Sequence, residues 1–292
     1  MKPAAFDYHR PHTLEEALDL LASLGGDGKV LAGGQSLIPI MNFRLATPEH
    51  LIDINDVDEL RGCQQSDQHL VLGALTRHQE YERRDEIVGS CPLLARVTPY
   101  IGHPQIRTRG TLGGSLAHAD PSAELPATMV ALDATFVARS KSGERRVKAD
   151  DFFTYLLTTD LQEDELLVAV EIPMASDRQG SEFLEVAARH GDFAMVGAAA
   201  VLKLGETGEV TEARIVCSAV APTPVRILEA EEVLRGRRVD EEVLFEVSAI
   251  VARSLEPTAQ LRASTDYKRR TAGVLARRAV ESAWHMAQGS QA

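Results

Sequence analysis

Arg109-Gly110-Thr111-Leu112-Gly113-Gly114-Ser115-Leu116-Ala117-His118-Ala119-Asp120 is the stretch on which the reading of this 292-residue chain turns. Two adjacent glycines remove both Cβ atoms, so an outside group can approach the main chain closely. Thr111 and Ser115 flank them with hydroxyls, and the residues that follow have helical character. Backbone N–H groups aimed together near a helix start bind anions. Ala32-Gly33-Gly34-Gln35-Ser36, directly after the apolar Lys29-Val30-Leu31, has the same chemistry. Either segment alone reads as an ordinary tight turn. Together they predict two backbone cradles closing on one diphosphate, and hence a dinucleotide ligand.

Composition narrows the classes. The length predicts two domains, and an apolar fraction of 44% is that of an ordinary globular protein. A formal charge of −12, spread without a long acidic block, argues against nucleic acid or an anionic membrane as the main partner. Cys63, Cys91 and Cys217 are far apart and show no CxxC or Cys/His spacing, so no metal or iron–sulfur site is expected within this chain. They read as buried or indifferent thiols of a reducing compartment. The segment Met1–Tyr8 lacks a signal-peptide core, and no apolar run approaches the roughly 20 residues that span a bilayer. A soluble, cytoplasmic protein is expected.

Working outward, Thr13 with Glu16 forms a capping box opening a helix whose buried stripe is Leu14, Ala17, Leu18 and Leu21, closed by Gly25-Gly26. Lys29–Leu31 reads as a strand running into the first glycine segment. The order differs from a Rossmann opening, with no GxGxxG after the first strand. Ser36–Arg44 reads as a short helix interrupted by Pro39, and Leu51–Ile54 as a strand closing a first lobe near residue 56. His69–Ala74 opens a second lobe. Thr76 is expected to cap a helix around 77–83, and 92–98 forms another. Residues 123–132 read as a helix packing Leu125, Met129 and Leu132. Strands follow at 135–138, 144–147 and, most clearly, Leu166–Ile172, stopped by Pro173. The polar stretch 176–180 marks a boundary. Beyond it come strands near 183–187, 197–204 and 212–218, then helices near 225–234, 241–253 and 267–286, an α+β arrangement.

Two segments carry a specific resemblance. AGGQSLIP (32–39) and QIRTRGTLGGSLAHADPSAELPA (105–127) resemble the signatures of the FAD-binding medium subunit of molybdenum hydroxylases, the carbon monoxide dehydrogenase and xanthine dehydrogenase group. EFLEVAARHGDFAMVG (182–197) extends the resemblance over essentially the whole chain. It implies a two-lobed FAD-binding domain of the vanillyl-alcohol-oxidase (PCMH) type over residues 1–175, with lobes of about 1–56 and 57–175. An α+β C-terminal domain over 176–292 would follow. It further implies a small subunit carrying two [2Fe–2S] clusters and a large molybdopterin subunit, assembled as a dimer of heterotrimers. Electrons would pass from molybdenum through the clusters to FAD and on to an external acceptor.

By that resemblance Ala32, Gly33, Gly34, Gln35 and Ser36 wrap one side of the diphosphate, and Thr111, Gly113, Gly114 and Ser115 the other. Glu124 meets the adenosine ribose, and Ile101 and Gly102 lie along the isoalloxazine. Leu166 or Leu167 adds contacts near the adenine or flavin ring, and Phe193 covers a flavin face. No catalytic acid or base and no metal ligand is implied here. Two positions depart from the pattern. Gln35 stands where some relatives have His, and Glu185 where some place a lysine near the flavin pyrimidine edge; Arg189 is the cation available to replace it. His118 and Asp120 read as loop-orienting groups, the basic run Lys268-Arg269-Arg270 with Arg277-Arg278 as a solvated face, and Trp284 as a packing anchor. Two rival readings stay open on the residues: a self-sufficient flavin oxidase and a nucleotide-binding module without redox function.

Overall fold

Three sheets organise the chain in the computed structural model, which describes residues 2–66, 68–260 and 263–289. The first is a three-stranded parallel sheet with His50–Asp53 between Asp7–His9 and Gly28–Leu31. The helix Leu14–Leu24 covers it. Thr13 Oγ1 accepts from Glu16 N at 3.2 Å while the Glu16 carboxylate accepts from Thr13 N, so the capping box forms as expected. Leu14, Ala17, Leu18 and Leu21 point inward and meet Ile52, Ile54, Leu60, Leu75 and Leu166 in one small core. Gly25, at φ 53°, closes the helix.

The second sheet is antiparallel and five-stranded, in the order Cys63–Gln65, His69–Gly73, Leu166–Pro173, Thr135–Ser140, Gly143–Lys148. Leu166–Pro173 lies at its centre, which explains why this is the most apolar strand. Its two faces serve different cores: Leu166 faces the first lobe, while Leu167, Val170 and Ile172 join Phe136, Phe152 and the Glu124–Ala131 helix in the main core.

A four-stranded antiparallel sheet (Gln179–Ala187, Ala194–Leu204, Val210–Ser218, Val225–Arg226) carries the helix Thr265–Ala287 on one face, and the helix Glu241–Ser254 packs against that helix. The run AMVGAAAVLKL is almost wholly buried because both faces of its strand are covered. Val196, Ala198, Ala200 and Leu202 face the helices, whereas Ala199 and Phe183 join the main core of the preceding domain. The C-terminal sheet therefore packs directly on the first domain.

Several local expectations give way. The helix Leu37–Asn42 is continuous, because Pro39 sits in its first turn, where a missing N–H costs no intrahelical bond. Thr76 caps no helix; its hydroxyl donates to Gly62 O, and only a single turn, His78–Glu80, follows. Val225–Arg226 is a short edge strand rather than helix, and the helix starts at Leu228. The strand Asp7–His9, the helix Asp85–Ser90 and the hairpin Phe153–Tyr155/Thr158–Thr159 lacked a readable period and were not expected. Lys268 is not on a solvated face. It is 2% exposed and donates to Ala219 O at 2.8 Å.

Candidate functional site

The strand Gly28–Leu31 delivers the chain into Ala32-Gly33-Gly34-Gln35-Ser36, and Gly34 takes φ +72°, the left-handed region open to glycine. The backbone N–H groups of Gly33, Gly34, Gln35 and Ser36 have no hydrogen-bond partner among the described residues. Four consecutive free donors around a left-handed glycine make an anion-binding concavity. Gln35 turns back on the loop, its amide nitrogen donating to Gly33 O at 3.0 Å, so it braces the segment from within.

The second segment behaves differently from its reading as a mirror cradle. Gly113 and Gly114 lie inside the first turn of the helix Leu112–His118 rather than in a glycine turn, with Thr111 as N-cap. Its early N–H groups are already taken: Leu112 donates to Thr76 O, Gly113 to Ala74 O, Gly114 to Thr111 Oγ1 and Ser115 to Thr111 O. The polar groups left at this segment are the hydroxyls of Thr111 and Ser115. Its glycines serve proximity. A Cβ on Gly113 would lie 2.6 Å from that of Ala74, and one on Gly110 would lie 2.8 Å from His78 Nδ1.

The two segments touch. A Cβ on Gly33 would overlap the Arg109 carbonyl and lie 2.9 Å from Gly110 Cα, and one on Gly114 would reach Ala32 Cβ at 3.7 Å. Gly33 thus allows a backbone-on-backbone crossing, with a free-donor loop on one side and a hydroxyl-bearing helix start on the other.

A second cluster lies where the C-terminal sheet meets the first domain. Gly102, at φ +49°, follows the buried Ile101, and Arg107 donates to both carbonyls at 3.3 and 3.1 Å. The loop 188–193 leans on this segment. Its Gly191, at φ +82°, leaves no room for a Cβ beside the His103 ring. Phe193, at the end of that loop, is 61% exposed. Glu124, the first residue of the helix Glu124–Ala131, is 7% exposed; burial and, to a lesser degree, the Asp120 carboxylate push it up to about 7. Burial and then the charge of Glu124 push Glu185 up to about 8, and its Oε2 has no partner. Tyr100 is raised by burial and by Glu182 and Glu185. Leu166 and Leu167 are both buried in protein cores, so their side chains present no open surface.

The FAD-binding-domain model of molybdopterin dehydrogenases matches residues 4–175, and the C-terminal-domain model of carbon monoxide dehydrogenase flavoproteins matches 181–283. The chain belongs to the FAD-binding medium-subunit family of molybdenum hydroxylases. It is similar to the carbon monoxide dehydrogenase medium chain of Hydrogenophaga pseudoflava, at 38% identity over 97% of this chain and 99% of that one. It is equally similar to a subunit of the 6-hydroxypseudooxynicotine dehydrogenase complex of Paenarthrobacter nicotinovorans, at 38% identity over 99% and 97%. The solved carbon monoxide dehydrogenase of H. pseudoflava superposes with a TM-score of 0.95 at 39% identity, covering 97% and 99% of the two chains. Quinoline 2-oxidoreductase of Pseudomonas putida superposes at 0.93, with 38% identity and 99% coverage of both.

As a medium subunit the chain is an oxidoreductase component, and its fold is the α+β pair of domains that the sequence implies. Among the described residues no cluster of His, Cys, Asp and Glu could hold a metal. No helix among them is long and apolar enough to cross a membrane. Burial pushes the Cys91 and Cys217 thiols up to about 12, which leaves them unreactive. Asp120 Oδ1 accepts from Ser122 N at 2.8 Å, the loop-orienting role expected of it, and Trp284 packs on the C-terminal core. Sequence reasoning passed over Asn55 and Arg77. Asn55 Nδ2 donates to Ala32 O at 2.7 Å, and Arg77 donates to both Asn55 Oδ1 and Arg109 O. No motif marks them, since their partners lie in segments distant in sequence.

Proposed function

We propose that this subunit holds FAD with its diphosphate at the crossing of the segments 32–36 and 111–115, in an assembly with an iron–sulfur subunit and a molybdopterin subunit. The observation that carries the reading is the run of four free N–H groups, Gly33 to Ser36, beside the Thr111 and Ser115 hydroxyls. A diphosphate needs such donors, and a Cβ at Gly33 would force the two segments apart. Gln35 shapes the loop, while Gly113 and the buried leucines 166 and 167 support the site from behind. The chemistry that bound FAD supplies is acceptance of electrons from the partner's [2Fe–2S] clusters and their delivery to an external acceptor.

Ile101, Gly102 and the exposed Phe193 form the flanks against which the ring system lies, and Glu124 accepts hydroxyl hydrogen bonds from a ribose. Glu185 lies at the ring end as a neutral carboxylic acid at neutral pH, because burial and Glu124 oppose its ionisation. A neutral acid donates a hydrogen bond where a lysine would donate a charged one, so reduced, anionic flavin gains less stabilisation here. The assembly is a cytoplasmic dimer of heterotrimers, and the substrate is oxidised on the molybdopterin subunit.

An absorption spectrum decides the reading. The chain, alone and co-expressed with the subunits encoded beside it, should yield acid-releasable FAD, joined by iron–sulfur absorbance when partners co-purify. A colourless chain that takes up no FAD even with partners present would sink it.

A further inference from the structure

The two glycine segments have little beyond van der Waals contact to hold them at a fixed separation, yet a diphosphate between them demands one. Arg77 stands at that crossing. Its backbone bridges Thr111, and the next residue, His78, donates its N–H to Gly110 O at 3.1 Å. The Arg77 guanidinium donates through Nη1 to Arg109 O and through Nη2 to Asn55 Oδ1 at 2.7 Å. Asn55 in turn donates through Nδ2 to Ala32 O at 2.7 Å and is oriented by Asp53 Oδ1 at 2.6 Å. Arg61 fixes the Asn55 carbonyl through Nη2 at 2.6 Å. A continuous chain of hydrogen bonds therefore runs from one glycine segment, through Asn55 and Arg77, to the other.

The charge of Arg77 is only partly compensated. No carboxylate forms an ion pair with its guanidinium among the described residues; burial, then Arg61 and Arg109, work against its charge, while Glu80 and Asp53 favour it to a lesser degree. Both of its acceptors are neutral oxygens. A half-buried cation left in this condition is compensated when an anion occupies the crossing in front of it.

We propose that Arg77 and Asn55 form a clamp that sets the spacing of the two diphosphate-binding segments and supplies the positive potential behind them. The inference rests on the FAD reading above. The planar guanidinium fork matters as well as the charge, because its two donors must reach two oxygens in different segments at once. A lysine ammonium on a flexible stem reaches one.

The test is FAD titration of the full chain stripped of flavin, followed by quenching of flavin fluorescence, for wild type, Arg77→Gln, Arg77→Lys, Asn55→Ala and the Arg77→Gln/Asn55→Ala double variant. Each single variant should weaken FAD binding roughly 10- to 100-fold, the effect of one lost charge-assisted hydrogen bond with its geometry. The double variant should be no more than about threefold weaker than the worse single, as for two parts of one unit. Flavin-free melting temperatures should stay within about 4 °C of wild type, a shift of roughly 1–2 kcal/mol or less. The proposal is overturned if Arg77→Gln binds FAD like wild type, if Arg77→Lys restores wild-type affinity, if the Arg77 and Asn55 effects multiply, or if lost affinity tracks lost folding. Wild-type protein that binds no FAD at all would sink the FAD reading and the clamp with it. Normal wild-type binding with unaffected variants would sink the clamp alone.

Discussion

Glu185 is buried enough at the junction of the two domains that its ionisation is measurable. Its carboxyl is pushed up to about 8 by burial and then by the charge of Glu124, and Glu124 itself up to about 7 by burial and then by Asp120, from an ordinary 4.5. Both pKa values are raised, so the folded chain keeps protons that the unfolded chain has released. The associated stability is complete below about pH 4.5 and drains away as pH climbs through 7 and 8. Flavin-free chain should therefore melt lower at pH 9 than at pH 6, by about 1–2 kcal/mol after allowing for the partial exposure of Glu185. Glu185→Gln removes the charge while keeping the shape, and should flatten that alkaline limb. Calorimetry showing the same pH 6-to-9 slope in wild type and Glu185→Gln would refute the assignment. His78 governs the opposite limb. Burial, and to a lesser degree the charges of Arg77 and Arg107, lower it to about 4, so its contribution is whole above 6.5 and is lost as pH falls toward 4. Glu185→Gln should leave that acid limb untouched.

Elements that announce themselves in sequence are those whose determinants are local. The capping box Thr13/Glu16, the buried stripe behind it and the apolar strand read at Leu166–Ile172, which runs one residue further through Pro173, all form, because each is fixed by neighbours within a turn or by a run of apolar side chains. The two glycine pairs were legible as special but not as different from one another. Gly33-Gly34 frees backbone donors, whereas Gly113-Gly114 sits in a capped helix start whose donors are spent on Ala74, Thr76 and Thr111. That distinction depends on the strand end at Gly73, far along the chain. Lys268 illustrates the same limit, since the carbonyl that buries it is 49 residues away. The contrast predicts different outcomes for a methyl at each segment. Gly33→Ala drives a Cβ into the Arg109 carbonyl, so it should abolish FAD uptake by levering the segments apart. Thr111→Val removes the N-cap acceptor of Gly114 N and one ligand hydroxyl. It should cost about 1 kcal/mol of stability and weaken FAD binding without abolishing it. Thermal melts and flavin-to-protein ratios of the two variants check both; a Gly33→Ala protein with full flavin content would contradict the crossing.

At the scale of the molecule, the C-terminal sheet serves two cores at once. Phe183, Ala199 and Val216 project from it into the same core as Leu70, Phe136 and Ile172, while Ala198, Ala200 and Ile215 face the helices behind. Lys268 and Ala219 tie the layers further: Ala219 N donates to Pro121 O, in the loop between the Ser115- and Glu124-bearing helices, and its carbonyl receives the buried ammonium. The loop 188–193 also meets the first domain, Gly191 lying against the His103 ring and the His190 ring standing 6.4 Å from it. A fold built this way should unfold as one cooperative unit despite its two family domains. Phe183→Ala removes a fully buried ring at the shared core and leaves a cavity, at a cost of about 3–5 kcal/mol. The expected melt is a single transition moved down by several degrees, with tryptophan fluorescence from Trp284 in the C-terminal core and far-UV dichroism from the whole chain changing together. FAD should leave in the same transition, although Phe183 belongs to the C-terminal sheet and not to the glycine segments. Two resolved transitions, with flavin retained through the first, would show that the domains are energetically independent and that the shared core does not hold the site together.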